Sequence, residues 1–301
     1  MKMWEHYHTP RSTDEALELL AQYAGRARVV AGGTDLLVDL RAAASYPALA
    51  ELPAMHHALV DITCIPELCT IEDDGDSIVI GAGVTHTQIV ASPLIQQYAT
   101  CLVESCGVVG GPQVRNVGTL GGNVAHALPA GDGTTSLVAL NAEVEIVKDG
   151  ERRWVGIGDM FVATGKSLVD PHRDLLLRFR FRKCGAGEAT AFSRIMRPQG
   201  VALPILGCAV WVKLNDDRTH YEAARVCLAP VAPTPKRARD VESALPGMPV
   251  GEDAILKAIA VADETLHPRT SKYRATADYR DEMMGVLLRR TLTSAVERAS
   301  A

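Results

Sequence analysis

The sequence is poor in rings. Phe, Trp and Tyr supply only 5% of its 301 residues although 47% are apolar, so its core must be packed mainly from aliphatic side chains. It also lacks a large charge of either sign: 31 basic against 36 acidic residues leave a formal net charge of −5. That excludes a nucleic-acid binder working by bulk positive charge. An apolar fraction so high with so little net charge also excludes a disordered chain. No stretch approaches the ~20 consecutive apolar residues of a membrane-spanning helix. The opening MKMWEHYHTP has no apolar core of an export signal, so a cytoplasmic protein is expected.

Several chemical signatures are missing as well. Seven cysteines, an odd number with no C-x-x-C pair, argue against a disulfide framework. Cys64/Cys69 and Cys101/Cys106 share a C-x4-C spacing. Zinc or an iron–sulfur cluster needs about four ligands, so small buried hydrophobes are the simpler reading. The nine histidines form no H-x-x-x-H or H-E-x-x-H pattern, and His56-His57 reads as a surface pair. There is no G-x-S-x-G nucleophile elbow. Neither the Rossmann G-x-G-x-x-G between strand and helix nor a P-loop occurs.

What is present is an ordered run of short elements. Ser12 and Glu15 fit a capping box for a helix that Gly25 closes. A β-type run over 28–31 breaks at Gly32-Gly33-Thr34-Asp35, and the apolar Leu36-Leu37-Val38 resumes. A strand is expected over 58–62, and a hairpin over 70–80 turns at 73–76. A helix follows near Thr87, and another opens at Pro93. Strands are expected over 142–147 and over the alternating 174–182. Residues 184–188 read as a linker, dividing the chain into 1–183 and 188–301. The second part offers strands over 189–195, 207–214 and 224–229, then helices over 238–244, 252–265 and 279–298. Residues 107–133 show little helix or strand periodicity, and a loop that long inside a compact domain is usually functional.

Glycine pairs at Gly32-Gly33, Gly110-Gly111 and Gly121-Gly122 allow close approach of a backbone to an anion and positive φ. Successive N–H groups in such turns form anion-binding concavities. Thr34 and Thr119 add hydroxyl donors beside two of them. Two loops so far apart in sequence would have to converge on one diphosphate.

Three segments carry a family likeness: VVAGGTDLLVDLR (29–41), VGGPQVRNVGTLGGNVAHALPAGDG (109–133) and TADYRDEMMGVLLRR (276–290). Together they resemble the FAD-binding medium subunit of molybdenum hydroxylases, the family of xanthine dehydrogenase, carbon monoxide dehydrogenase and 4-hydroxybenzoyl-CoA reductase. The resemblance implies an α/β (α+β) fold. A two-subdomain FAD-binding domain of the PCMH/VAO type would precede a smaller C-terminal domain with a three-stranded antiparallel sheet and helices. It implies FAD as the cofactor, held by Val29, Val30, Ala31, Gly32, Gly33, Thr34, Asp35 and Leu36 from the first loop. Gly110 and then Thr119, Leu120, Gly121, Gly122 and Asn123 would supply the second. Asp132 would serve the adenosine half, and Leu176, with Leu177 as the alternative, would lie beside the isoalloxazine. Arg194 stands where many members have lysine near the flavin. His126 is read as a loop residue ahead of a flavin contact. Arg115 is read equally as a phosphate neighbour or an exposed loop arginine. Asn123 runs straight into Val124 with no cysteine-rich insertion, so the extra cluster of the reductase subfamily is not expected.

The resemblance also implies partners: a large molybdenum-cofactor subunit where substrate is oxidised and a small subunit with [2Fe–2S] clusters. FAD would pass electrons on to NAD, oxygen, a quinone or another carrier. No side-chain catalyst, metal, nucleic acid or membrane span is expected in this chain. A stand-alone flavin reductase of the UDP-N-acetylenolpyruvoylglucosamine reductase kind is the alternative enzyme, and a non-catalytic FAD-binding assembly module the alternative of another class.

Overall fold

The structure, a computed structural model, describes residues 2–45, 56–197, 203–272 and 274–301. It opens with a three-stranded parallel sheet. Strand His56–Asp61 lies between Trp4–His8 and Ala27–Val30. Helix Thr13–Tyr23 connects the first two strands in sequence and buries Ala16 and Leu20. Ser12 Oγ accepts from the Glu15 N–H at 3.1 Å, while the Glu15 carboxylate accepts from the Arg11 N–H at 2.7 Å rather than from Ser12. The helix ends through Ala24 (φ 48°) and Gly25 (φ 83°). The apolar residues after the first glycine turn begin a helix, Leu36–Ser45, in which Leu40 and Ala43 face inward.

A five-stranded antiparallel sheet follows. Its order is Ile71–Asp74, Ser77–Gly81, Leu175–Arg182, Glu143–Lys148, Glu151–Gly156. The last strand to be made therefore inserts into the middle. Its alternation explains the placement: Phe179 and Phe181 are buried, while Arg178, Arg180 and Arg182 face the other way. There Arg178 pairs with Glu145, Arg180 with Glu143 and Arg182 with Glu188, and Arg180 stacks 4.2 Å over the Trp154 ring. A register shift between Leu176 and Arg178 breaks the pattern at the start of the strand. Helices Thr100–Gly107 and Asp132–Ala139 contribute Leu102, Cys106, Leu137 and Val138 to the core above the inner face.

The remaining chain forms the antiparallel strands Glu188–Ile195, Leu206–Leu214 and Tyr221–Ala229, with a two-residue fourth strand, Lys236–Arg237, at the edge. The three-stranded sheet of the sequence reading is thus extended by one short edge pairing. Cys208, Val210 and Val212 pack with helices Glu252–Thr265 and Ala277–Ser300, whereas Ala209, Phe192 and Cys227 join the core of the preceding sheet. Burial on both faces is why this strand reads as a near-continuous apolar run.

The stretch 107–133 is not an irregular loop. It contains helices Pro112–Arg115 and Leu120–Ala125 and the start of Asp132–Ala139. The first two last fewer than two turns, too short for a 3.6-residue apolar period to show.

Candidate functional site

A cleft of about 400 Å³ opens where the parallel sheet meets the five-stranded one. One wall comes from the end of strand Ala27–Val30 and the turn beyond it, residues Arg28 to Leu36, with Ile62 just past the neighbouring strand. The carboxyl ends of parallel strands are a general place for ligands because the strands stop there and the loops diverge. The opposite wall comes from Gly118, Thr119, Gly121, Gly122 and Asn123, backed by Ala82, His86 and Leu176.

The two glycine loops touch through their backbones. A Cβ at Gly32 would stand 2.1 Å from the Val117 carbonyl oxygen and 2.8 Å from Gly118 Cα. Gly33, beside it, takes φ +66°, a conformation that costs side-chain-bearing residues energy. At the other loop, a Cβ on Gly121 would stand 2.6 Å from the Ala82 carbonyl oxygen. This loop is stitched to residues 82–86: Gly121 N–H donates to Ala82 O (2.9 Å), Leu120 N–H to Val84 O (3.0 Å) and His86 N–H to Gly118 O (3.0 Å). Thr119 caps helix Leu120–Ala125, its Oγ1 accepting from the Gly122 N–H at 3.0 Å. Asn123 Oδ1 accepts from both the N–H and the hydroxyl of Thr134, which fixes its amide at the wall.

Among the described residues, the N–H groups of Gly32, Gly33, Thr34 and Asp35 have no protein acceptor. A run of unspent donors with no side chain at Gly32 and Gly33 to obstruct it is what a diphosphate needs. The first-loop residues Val29, Val30, Ala31, Gly32, Gly33, Thr34, Asp35 and Leu36 all line the cleft, as do Gly110, Thr119, Gly121, Gly122, Asn123 and Leu176. Leu176 and Leu177 are separated by the register shift: Leu176 borders the cleft, whereas Leu177 is buried in the core beneath the parallel sheet. His126 lines the wall. Arg115 commits Nη1 to the carbonyls of Val109 (3.1 Å) and Gly110 (2.9 Å), so it supports the loop that carries Gly110.

Three expected residues lie behind the wall. Leu120 is wholly in the core, because the first turn of its helix turns it inward. Asp132 and Arg194 form a buried pair, with Arg194 Nη1 2.5 Å from Asp132 Oδ2. Their neighbours Ala130 and Gly131 border the cleft. Each partner keeps one buried atom unpaired, Asp132 Oδ1 and Arg194 Nε. Burial pushes the Asp132 carboxyl up to about 6, with the Arg194 guanidinium pulling the other way.

Residues outside the glycine motifs join the site too. His86 is buried against the Gly118 loop, with Nδ1 unpaired. Burial, and next the positive Arg115, lower its pKa to about 4, so its imidazole is neutral near pH 7. Arg28, Pro171, Asp174 and Arg274 also border the cleft. The Thr85/Gln88 capping box, formed in full, was a sequence signal for the helix beginning at His86. Nothing in the sequence pairs that helix with Gly118.

Comparison with known proteins gives the cleft a family. Residues 2–181 match the FAD binding domain in molybdopterin dehydrogenase, and residues 190–295 the CO dehydrogenase flavoprotein C-terminal domain. The chain is 30% identical to the carbon monoxide dehydrogenase medium chain of Hydrogenophaga pseudoflava, covering 98% of each. It is 28% identical to the putative xanthine dehydrogenase FAD-binding subunit of Escherichia coli K12, covering 97% of this chain and 96% of that one. Among solved structures, carbon monoxide dehydrogenase from Hydrogenophaga pseudoflava lacking the Mo-pyranopterin moiety superposes with a TM-score of 0.87 over 99% of both chains at 30% identity. Free backbone donors, glycines at backbone contact distance and an aliphatic wall fit the dinucleotide that these names specify. The chain therefore belongs to the FAD-binding medium subunits of the molybdenum hydroxylases, oxidoreductase components whose cofactor is FAD.

Proposed function

We propose that this subunit carries electrons from iron–sulfur clusters of a small partner subunit, through FAD, to an external acceptor, while substrate is oxidised at a molybdenum cofactor in a large partner. The observation that carries the reading is the convergence of the two glycine loops on one cleft, with Gly32 packed directly against Val117 and Gly118. When bound, FAD supplies the redox chemistry, exchanging electrons singly or in pairs.

The chain's own residues bind, orient and shield. The N–H groups of Gly32 to Asp35 hold the diphosphate, and Thr34 and Thr119 border it. Asn123, fixed by Thr134, holds its amide at the second loop. Leu176 presents an aliphatic surface to the flat ring system and keeps water from it. Arg194 holds a cation behind Gly131, and its pairing with Asp132 keeps that charge in place. Neutral His86 closes the wall without adding charge. A cytoplasmic workplace is supported by seven free cysteines, since oxidising compartments pair them. Among the described residues, no helix is long and apolar enough to cross a membrane.

Purification under native conditions tests the reading. The chain should co-purify with a molybdenum-containing large subunit and an iron–sulfur small subunit. Substrate added to that complex should bleach the flavin absorbance. A chain that purifies alone and oxidises NADPH by itself would sink the proposal. Flavin that substrate never reduces, in an intact complex, points to an assembly module instead.

A further inference from the structure

A second cavity, of about 280 Å³, lies beside the cleft and shares Arg274 with it. It is formed where the segment between helices Glu252–Thr265 and Ala277–Ser300 meets Pro129 and the turn Pro230-Val231-Ala232. Four of its lining residues are cationic: Arg269, Lys272, Arg274 and Arg280. Neither Asp nor Glu lines it among the described residues. Arg280 is 98% buried, from a relative exposure of 2%. Its Nη1 donates to the Arg269 carbonyl at 2.8 Å, but its Nε is buried without a partner. Thr270 Oγ1 accepts from the Ala277 N–H at 3.0 Å, which leaves the hydroxyl hydrogen free to donate.

This arrangement is costly when empty. A buried guanidinium loses hydration, and its neighbours repel it. Burial first, then Arg274 and Arg269, lower the Arg280 pKa, and burial lowers that of Arg274 with only Asp132 opposing. What the lining offers the buried Arg280 is other cations, with no carboxylate beside it among the described residues. The wall presents donors from the loop and from the first turn of the long helix. A carboxylate offers two oxygens and one charge; a phosphoryl group offers three terminal oxygens and close to two charges. The volume sits at the lower end of small-molecule sites, so it admits a phosphate or a small phosphate ester but not a whole dinucleotide.

We propose that this cavity is a phosphoryl-binding site, distinct from the FAD diphosphate site, in which Arg280 forms the floor, Arg269 and Lys272 the rim, and Arg274 the boundary with the flavin cleft. The assignment rests on the reading of the neighbouring cleft as the FAD site only for its location.

Calorimetric titration of the full, FAD-loaded chain with inorganic phosphate at low ionic strength tests it without any turnover, so its outcome is separate from that of electron transfer. Saturable binding of one phosphate per chain is expected. The Arg269→Gln/Lys272→Gln variant, altered at two exposed rim positions, should bind at least about tenfold more weakly, as expected for losing hydrogen bonds to a charged group. Arg269→Lys should recover part of the loss. No saturation in the parent, or equal affinity in the variant, overturns the proposal. So does binding that occurs only in the FAD-free chain and is displaced by FAD, because the cavity would then belong to the cofactor. Adenosine 2′-monophosphate and ribose 5-phosphate separate the sources: tighter binding than inorganic phosphate identifies an ester, and equal binding identifies the free ion. Either result supports the phosphoryl assignment.

Discussion

The cleft at Gly32 and the cavity at Arg280 share Arg274, yet they offer an anion different things. In the cleft the donors are backbone N–H groups, brought together by residues that lack side chains. In the cavity they are long cations gathered around one buried guanidinium. Backbone donors carry partial charges and repel one another little, but they need close contact between loops, and a single methyl group is enough to prevent that. Side-chain cations tolerate small displacements and carry full charges, so they repel one another and respond to salt. The first kind of site is decided by shape and fails abruptly. The second is decided by charge and fails by degrees.

The largest effect should come from Gly32→Ala. Its Cβ would stand 2.1 Å from a backbone oxygen that cannot swing aside. Loss of most bound flavin is expected, with destabilisation of about 3 kcal/mol or more from overpacking. Flavin absorbance of the purified chain and thermal unfolding measure the two. Normal flavin content would break the view that shape decides this site.

Asp132 stands electrostatically between the two regions, feeling Arg194 and Arg274 together. Its folded pKa, about 6, lies above the ordinary aspartate value of 3.8. Between those values the folded state binds more protons than the unfolded state. Asp132 therefore contributes stability at low pH that is lost as pH rises through about 6. Asp132→Asn should remove that loss. Variant and parent should be close below pH 4, and the variant should be more stable at pH 7 by up to about 3 kcal/mol. Denaturant midpoints across pH 4 to 8 check this. A less stable variant at pH 7 would mean that attraction to Arg194 outweighs the burial of the carboxylate.

Thr119→Ala removes the cap on the Gly122 N–H and should cost about 1 kcal/mol, with weaker flavin retention. Gly158→Ala gives the contrast. A Cβ there meets nothing within 4 Å and its backbone is ordinary, so stability should stay within about 0.5 kcal/mol and flavin content should match the parent. A large effect there would show that glycine loss harms this chain for reasons other than contact.

Parts of this arrangement could be read directly from the sequence. The central strand Leu175–Arg182 and the hairpin Ile71–Gly81 announce themselves by period-two alternation and by turn residues. The C-terminal helices show their inward stripe over several turns. Strand Trp4–His8 and strand Glu151–Gly156 carry no such mark, because they are edge strands with few buried residues and show no alternation. Helices Pro112–Arg115 and Leu120–Ala125 leave no pattern because they end before a period repeats. The glycine pairs are visible as candidate turns, and anion chemistry already asks two of them to converge, but the backbone contact of Gly32 with Val117 and Gly118 joins distant segments and has no signature in spacing. Asp132 and Arg194 were assigned by that likeness to the cofactor, and their burial against each other had no local signature. His86, Arg274 and Arg280 likewise owe their roles to neighbours that no spacing reveals.

The contact at Gly32 also bears on how such a chain can change over generations. A side chain at this position requires the peptide between Val117 and Gly118 to retreat first. That retreat, made alone, separates the loops and leaves the donors of the first turn without their opposite wall. Each change is harmful without the other, so no single substitution leads away from glycine here. The two loops are free to drift only as a pair.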